Sequence, residues 1–467
     1  MKFHLFISLV LVLLFSTHVY CKSDIHIGYS LTLEVPVVYS AGFTGRAFLI
    51  ETDQTVPNFR AALSVEPIKG NYSCSLEVFL GDVKVWNSGH YSQFYTWDIC
   101  KLELTKDGDL QLKGPKDRVG WRTGTSGQGV EKLEILETGN LVLADGLNRV
   151  KWQSFNFPTD VMLLGQRLNV ATRLTSFTSN SSTFYSFEIQ RSKLLLYLSF
   201  GKRNYSYWEY KPPNNRNITF VELGAKGLEV FGDEYSQIAQ IPSSRSTQPL
   251  RFLALVNRTG NLGLYFYSPE NGTFEAAFQA LTTTCDLPLA CRPYGICTFS
   301  NACSCIRLST KEDGAGSDCN EGFSGGFCGN GPVEMLELNG ATSVLRPASK
   351  RVNVSKEACE DFCLRDCDCL AALFSSGMAS GSNLRECFLY AVVMGIKQTE
   401  RGITGMTYMV KVPKGTHLSH GKSGVKKWVL VMVGVVDSLI ILLVFGGLGY
   451  YLIHRRRKNR PPTDNNT

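Results

Sequence analysis

The stretch from Trp428 to Ile453 limits what the rest of the chain can be. It runs for 26 residues with a single charge, Asp437. A bilayer core of roughly 30 Å needs ~20 apolar residues at the helical rise of about 1.5 Å, so residues 428–453 read as one transmembrane helix. A buried core helix of a soluble protein fits neither this length nor this purity. Lys426 and Lys427 precede it, and His454, Arg455, Arg456, Arg457, Lys458 and Arg460 follow it. The denser basic cluster marks the cytosolic side, which puts the C-terminus inside. Trp428, Tyr450 and Tyr451 fall where amphipathic aromatics favour the headgroup level. The tail, residues 454–467, is too short to fold as a domain. Recognition or chemistry is therefore expected in the part before the span.

The other end supplies a matching signal. Lys2 precedes an apolar run from Leu5 to Phe15, followed by small and polar residues up to Cys21. Residues 1–21 thus read as a secretory signal peptide. A cleaved signal and one span predict a single-pass type I protein of the plasma membrane with its N-terminus outside. Cysteine usage agrees: of 15 cysteines, loss of Cys21 leaves an even number that can all pair. Sequons for N-glycosylation stand at Asn71, Asn180, Asn204, Asn217, Asn257, Asn271 and Asn353, all before the span. One more, at Asn465, falls in the tail and is expected to stay bare. Together these features point to an oxidising, secretory route.

Net charge is +7, but it gathers at the ends. The tail's five basic residues less Asp464 supply four and Lys2 one, while Asp437 takes one back, leaving +3 for the outer part. That balance gives no support for nucleic-acid binding. The basic tail suits the anionic inner leaflet.

The outer part begins as β-structure, with short alternating runs cut by Gly, Asn and Asp. A repeat is visible. Leu102–Thr123 and Leu133–Ser154, offset by 31, share eight of 22 positions, ending on Trp121 and Trp152. Val85-Trp86-Asn87-Ser88 suggests an earlier copy. Each unit reads as strand, turn, strand and a closing Trp strand, with turns at Asp107-Gly108 and Thr138-Gly139. One hairpin cannot bury its own apolar face, but three around an axis can, with the tryptophans pooled in the middle. A three-fold β-prism is expected over residues 22–157.

GNLVL at 139–143, followed by WQSFNFPTDVMLLGQ at 152–166, resembles the bulb-type (G-type) lectin domain of plant S-locus glycoproteins and their receptor relatives. The resemblance implies a mannose-binding strand of pattern Q-x-D-x-N-x-V-x-Y. Here that frame holds Leu136, Thr138, Asn140, Val142 and Ala144, so only Asn140 and Val142 match. The frame around Asp109 keeps only Asp107. The sugar site is thus expected to be degenerate, with Asn140 serving as a turn-side residue of its hairpin. Residues 158–280 continue as β and resemble the family's second lectin-like segment, with RTGNLGLYFY at 258–267 echoing the earlier hairpin. A bridge Cys74–Cys100 is expected in the first domain.

From Cys285 the composition changes. Cys285, Cys291, Cys297 and Cys303 recur every six residues, and Cys305 and Cys319 follow. Six cysteines in so short a stretch mean a disulfide-held module with fifteen pairings open. CRPYGICTFSNACSC resembles the family's EGF-like module, assigned to residues 281–320. That implies Cys285–Cys297, Cys291–Cys303 and Cys305–Cys319. No acidic cluster suggests calcium. Farther on, Cys359, Cys363 and Cys367 recur every four residues, along one stripe of a helix that Ser355 caps. Zinc has to be weighed for such thiols, but a secreted chain favours disulfides. Residues 328–412 resemble a PAN/apple domain, a helix stapled to a small sheet. The resemblance implies Cys359–Cys387 and Cys363–Cys369, and Cys328 is paired with Cys367 as the remaining two. A Gly/Ser/Lys/His stalk, residues 413–427, leads to the membrane. The expected fold is mainly β: tandem β-prism lectin-like domains, a small EGF-like disulfide module, an α+β PAN/apple domain and a single transmembrane helix.

No catalytic constellation emerges. Of seven His residues only His26 and His90 fall in folded regions, and neither sits in a triad or metal motif. No metal or cofactor is expected. The chain has no Gly-rich phosphate loop, HRD or DFG, the signatures of the kinase that related receptors carry. An Asp at mid-membrane costs roughly 2.5–3.5 kcal/mol on insertion scales, so Asp437 calls for a partner. Gly434 and Ser438 beside it suit close helix approach. The alternative is a lone helix whose Asp437 snorkels or is protonated. The expected function is a cell-surface, receptor-like glycoprotein without a kinase. It would bind an extracellular protein or glycan and act through a receptor kinase or other membrane co-receptor. The alternative is a carbohydrate-binding adhesion lectin.

Overall fold

The computed structural model describes residues 24–36, 38–53, 56–68, 70–178, 183–244, 248–306, 308–309, 331–347, 349–376, 384–399, 405–415, 417–418, 441 and 443–452. The chain divides into two units, one of residues 1–306 with 319–414, the other of 307–318 with 415–467.

Six three-stranded units dominate the first unit, and each is built the same way. The middle strand carries Leu-x-Leu or Leu-x-Val: Leu76/Val78, Leu110/Leu112, Leu141/Leu143, Leu194/Leu196, Leu228/Val230 and Leu262/Leu264. All twelve are buried. Alternation points both members of each pair to the same face, so every unit has one apolar face to cover. Next, the closing strand carries a β-bulge opposite the second member of the pair in all six units. A bulge increases local twist, and twist is what lets three sheets curl about an axis.

The first three units form a prism. Its sheets hold strands 45–51, 59–68, 71–80 and 83–87; strands 30–34, 99–104, 110–113 and 119–122; and strands 24–26, 130–135, 141–145 and 150–153. The opening chain thus lends one strand to each sheet, in reverse order of the units that follow. Trp86, Trp121 and Trp152, each just past its bulge, meet on the axis. Their ring centroids are 5.9–6.4 Å apart, all edge to face, a favoured aromatic arrangement. A second prism repeats this plan: strands 161–163, 167–169 and 173–177 each join a different sheet, completed by 183–210, 220–242 and 250–279. Val161, Leu163 and Phe252 belong to the same buried core as the first prism, so the two prisms share apolar packing there.

The cysteine-rich segments share sheets with their neighbours. Strand Gly295–Cys297 pairs with Cys303–Cys305 and, in parallel, with Ile396–Gln398. Strand Arg346–Pro347 joins the second prism beside Tyr205 and Ser206. A five-stranded sheet, in the order 333–338, 406–413, 371–375, 386–390 and 351–352, carries helix α1, Lys356–Arg365. Ser355 caps α1 by accepting from the Ala358 N–H at 3.2 Å. Disulfides tie α1 to the sheet through Cys359–Cys387 and to its own exit through Cys363–Cys369. At its other end the buried Lys411 donates to the carbonyls of Cys363 and Asp366, each at 3.0 Å. A cation there meets the negative end of the helix dipole. Burial lowers the Lys411 pKa, against the pull of Asp366.

In the second unit, strands Leu308–Ser309 and His417–Leu418 pair antiparallel. Residues 441 and 443–452 are helical; 428–440, with Gly434, Asp437 and Ser438, lie outside the described residues. Among the described residues no helix is long and apolar enough to cross a membrane. Residues 1–21 and 454–467, read from the sequence as signal peptide and tail, also lie outside them.

Candidate functional site

The strand that should bind sugar lies in the third unit of the first prism. Asn140 follows the turn at Thr138-Gly139 and is 6% exposed. Its side chain is consumed by the chain leaving the unit. Oδ1 accepts from the Ser154 hydroxyl and the Phe155 N–H, each at 3.2 Å, and Nδ2 donates to Gln153 Oε1 at 2.7 Å. Val142 and Ala144 are fully buried, while Leu136 lies at the surface. Two other units show the same clamp. Asp109 Oδ1 accepts from Thr123 Oγ1 at 2.9 Å and from the N–H groups of Gly124 and Thr125 at 2.8 and 3.2 Å. Asn261 holds both the N–H and the carbonyl of Leu281, at 3.0 and 2.8 Å. The polar residue before Leu-x-Leu therefore turns the exit chain in three units. Burial opposes ionisation of Asp109, but its hydrogen bonds together outweigh that and hold its pKa below the usual carboxylate range. Asp107 is exposed and accepts from Thr105 and Ser126.

The closeness of the turn explains the glycine beside each clamp. Gly139 and Gly260 have φ of +81° and +71°. A Cβ on them would stand 2.4 Å from Phe59 and 2.5 Å from Tyr185. Only glycine meets both demands.

Other expected residues are placed as follows. Disulfides Cys74–Cys100, Cys285–Cys297 and Cys291–Cys303 are formed. Cys305 and Cys367 are also disulfide-bonded, while Cys319 and Cys328 lie outside the described residues. Asn71, Asn204, Asn217, Asn257, Asn271 and Asn353 are all exposed, and Asn180 lies outside the described residues.

Two concavities were not foreseen. One, of about 540 Å3, lies between the second prism and the five-stranded sheet that carries α1 and gathers Lys202, Arg203, Lys350 and Arg351. Its charge is largely answered: Arg203 pairs with Asp368 at 3.2 Å, Lys350 with Glu386, and Arg351 lies over the Phe362 ring. The other, of about 610 Å3, lies between the prisms. Trp86, Tyr265 and Phe274 give it an aromatic lining, and Asn87, Asp160 and Asn257 line its polar side. Its walls come from three separate segments, within 83–90, 159–161 and 252–274, which is why no local motif marks it. His90 also faces it and bonds the Thr175 carbonyl at 2.7 Å. Burial lowers the His90 pKa and raises that of Asp160, while their mutual attraction works the other way.

Residues 89–183 match a family model described as a D-mannose binding lectin. A G-type lectin S-receptor-like serine/threonine-protein kinase of Arabidopsis thaliana is 23% identical over 397 residues, 80% of this chain and 46% of the kinase. A PAN domain-containing protein of the same plant is 23% identical over 380 residues, covering 78% of this chain and 74% of its own. EP1-like glycoprotein 4, also from Arabidopsis thaliana, is 27% identical over 347 residues, with 68% and 76% covered. The chain spans about half the length of the kinase relatives it matches. A monomeric monocot mannose-binding lectin from Gastrodia elata aligns over 28% of this chain and 96% of its own. It is 18% identical with a TM-score of 0.17, too low to bear on the fold. The likenesses to curated proteins support a plant chain of the G-type lectin, S-locus-glycoprotein-like kind.

Proposed function

Starting from a G-type-lectin, S-locus-glycoprotein-like chain, we propose a single-pass cell-surface receptor-like glycoprotein. It binds an extracellular protein or glycan and acts through a membrane partner, a receptor kinase or other co-receptor. Relatives with lectin and receptor names support the surface role. The apolar run 428–453 supports the span. Asp437, with Gly434 and Ser438, is the face offered to the partner helix. No reaction is assigned to the chain.

The observation that carries this reading is the state of Asn140. Its amide is spent on Gln153, Ser154 and Phe155. A mannose ring would have to break those bonds and leave buried groups unpaired, at about 1–3 kcal/mol each. The chain is thus built as a lectin scaffold whose consensus groove serves as structure, and its ligand is met elsewhere. Proximity labelling from the intact protein in its own membrane tests this. Recovery of a membrane kinase or co-receptor, reduced in Asp437→Leu, is the expected result. Labelling indistinguishable from that of an unrelated single-span protein would refute it. The family match also favours a second reading, an adhesion lectin that binds glycan without relaying a signal.

A further inference from the structure

We propose that the cleft between the two prisms is a binding site for a neutral sugar ring. The assignment rests on the glycan-binding side of the reading above and names the place where that binding occurs.

Size, lining and charge all bear on it. At about 610 Å3 it falls within the range of small-ligand pockets, roughly 300–1,000 Å3. A pyranose presents apolar C–H faces and a rim of hydroxyls. The cleft offers the complement: half-buried rings of Tyr265 and Phe274 next to Trp86, and polar groups of Asn87 and Asp160 beside them. The rings are held in place. Phe252 stacks on Tyr265 at 4.9 Å and meets Phe274 edge-on at 5.1 Å, and Trp86 Nε1 is pinned to the Phe157 carbonyl at 2.9 Å. Such rigidity lowers the entropy cost of binding. Asn87 commits its Oδ1 to the Gly89 N–H at 2.6 Å, and its amide nitrogen carries two donors beyond that bond. The Asp160 carboxyl supplies acceptors for a pair of neighbouring hydroxyls. Charge disfavours an anionic ligand, because acids outnumber bases around the lining. Lys84, the cation in the lining, is answered by Glu77 at 2.5 Å and Glu66 at 3.2 Å, and Asp160 adds a further acid.

Here the cleft differs from the consensus strand, where the Asn140 carbonyl oxygen and one of its amide N–H groups already hold the exit chain. Its sugar could arrive from two sources, because Asn257 lines the cleft and is itself a sequon with Thr259. One source is an outside oligosaccharide; the other is the chain's own Asn257 glycan folding back.

The full detergent-solubilised chain is tested on an array of neutral plant-type oligosaccharides. It is compared with Asn257→Gln, Tyr265→Ala and Asp160→Asn, all first checked for an unchanged unfolding midpoint. An outside ligand predicts array binding that Asp160→Asn and Tyr265→Ala each weaken by about tenfold or more and that Asn257→Gln preserves or strengthens. A self-glycan predicts no array binding by the wild type. In that case amide exchange in 83–87 and 262–268 speeds up in Asn257→Gln, and to the same extent in Tyr265→Ala. Array binding untouched by both cleft variants overturns the assignment while leaving glycan recognition standing. No array binding, with exchange equal in all variants, overturns it as well. Loss of partner labelling with the cleft results intact would instead strike only the receptor reading. Should Tyr265→Ala fail the folding check, Asp160→Asn, which keeps the side-chain shape, carries the test.

Discussion

The two prisms have one topology and two different centres. In the first, three tryptophans close the three units and meet on the axis. In the second, the residues just past the corresponding bulges are Trp208, Ala239 and Phe278. Trp208 is half-buried and stacks on Tyr210. Tyr185 and Tyr207 are buried instead, edge to face at 6.3 Å, and Tyr207 donates to the Gly260 carbonyl at 2.6 Å. The Leu-x-Leu pairs and the bulges are common to both. The shared features therefore specify the prism, and the tryptophans specify only how one copy fills its middle.

This contrast breaks most readily at the bulge residues. Trp86→Ala should cost about 3–5 kcal/mol, the usual range for emptying a buried large aromatic site, and it also strands the Phe157 carbonyl that Nε1 now satisfies. Trp208→Ala should cost less than half as much. Calorimetric unfolding of the full chain and both variants would show it. Equal losses would mean that the second prism depends on its tryptophan after all. A smaller effect is expected from Cys74→Ser. That bridge closes a separation of 26 residues and joins two sheets of the first prism, worth about 3.5 kcal/mol through the unfolded state. Limited proteolysis should then cut the first prism well before the second.

The clamps sharpen the comparison from the other side, because here the prisms agree. Asn140→Ala and Asn261→Ala should each cost about 1–3 kcal/mol by leaving exit-chain groups unpaired, and by similar amounts. Neither should change glycan or partner binding. A loss of binding in Asn140→Ala without a loss of stability would restore the consensus groove as a site.

What the sequence revealed follows the same line. The first prism was legible because Trp is rare and large enough to mark a 31-residue period, down to the earlier copy at Trp86. The second hid its units, since alanine and phenylalanine close two of them; only Gly260-Asn261, which must turn and clamp, left a trace. The cysteine modules were readable as composition. Their merging into shared sheets was not: Ile296 pairs with Ile396 and Tyr205 with Pro347, and strand pairing across such distances has no local signature. The cleft between the prisms was invisible for the same reason, since Asn87, Asp160 and Tyr265 are brought together only by the packing of one prism on the other.

The smallest expected effect separates the clamps from one another. Asp109, Asn140 and Asn261 hold equivalent places, but only Asp109 titrates. Its folded pKa lies below the unfolded value of about 3.9, so the native state binds the proton more weakly than the unfolded chain does. The resulting stabilisation is complete above the unfolded pKa and fades as pH falls through the folded one. Between about pH 5 and pH 3 the wild-type unfolding midpoint should therefore drop more steeply than that of Asp109→Asn. At neutral pH the variant should start lower, because Asn puts an N–H2 where one of the carboxylate oxygens now accepts, from Gln111 on one side or from Gly124 and Thr125 on the other. The two curves should converge in acid. Parallel curves would mean that the carboxylate's hydrogen bonds are no stronger than an amide's, and that strands 99–122 close their exit chain as the neutral counterparts do.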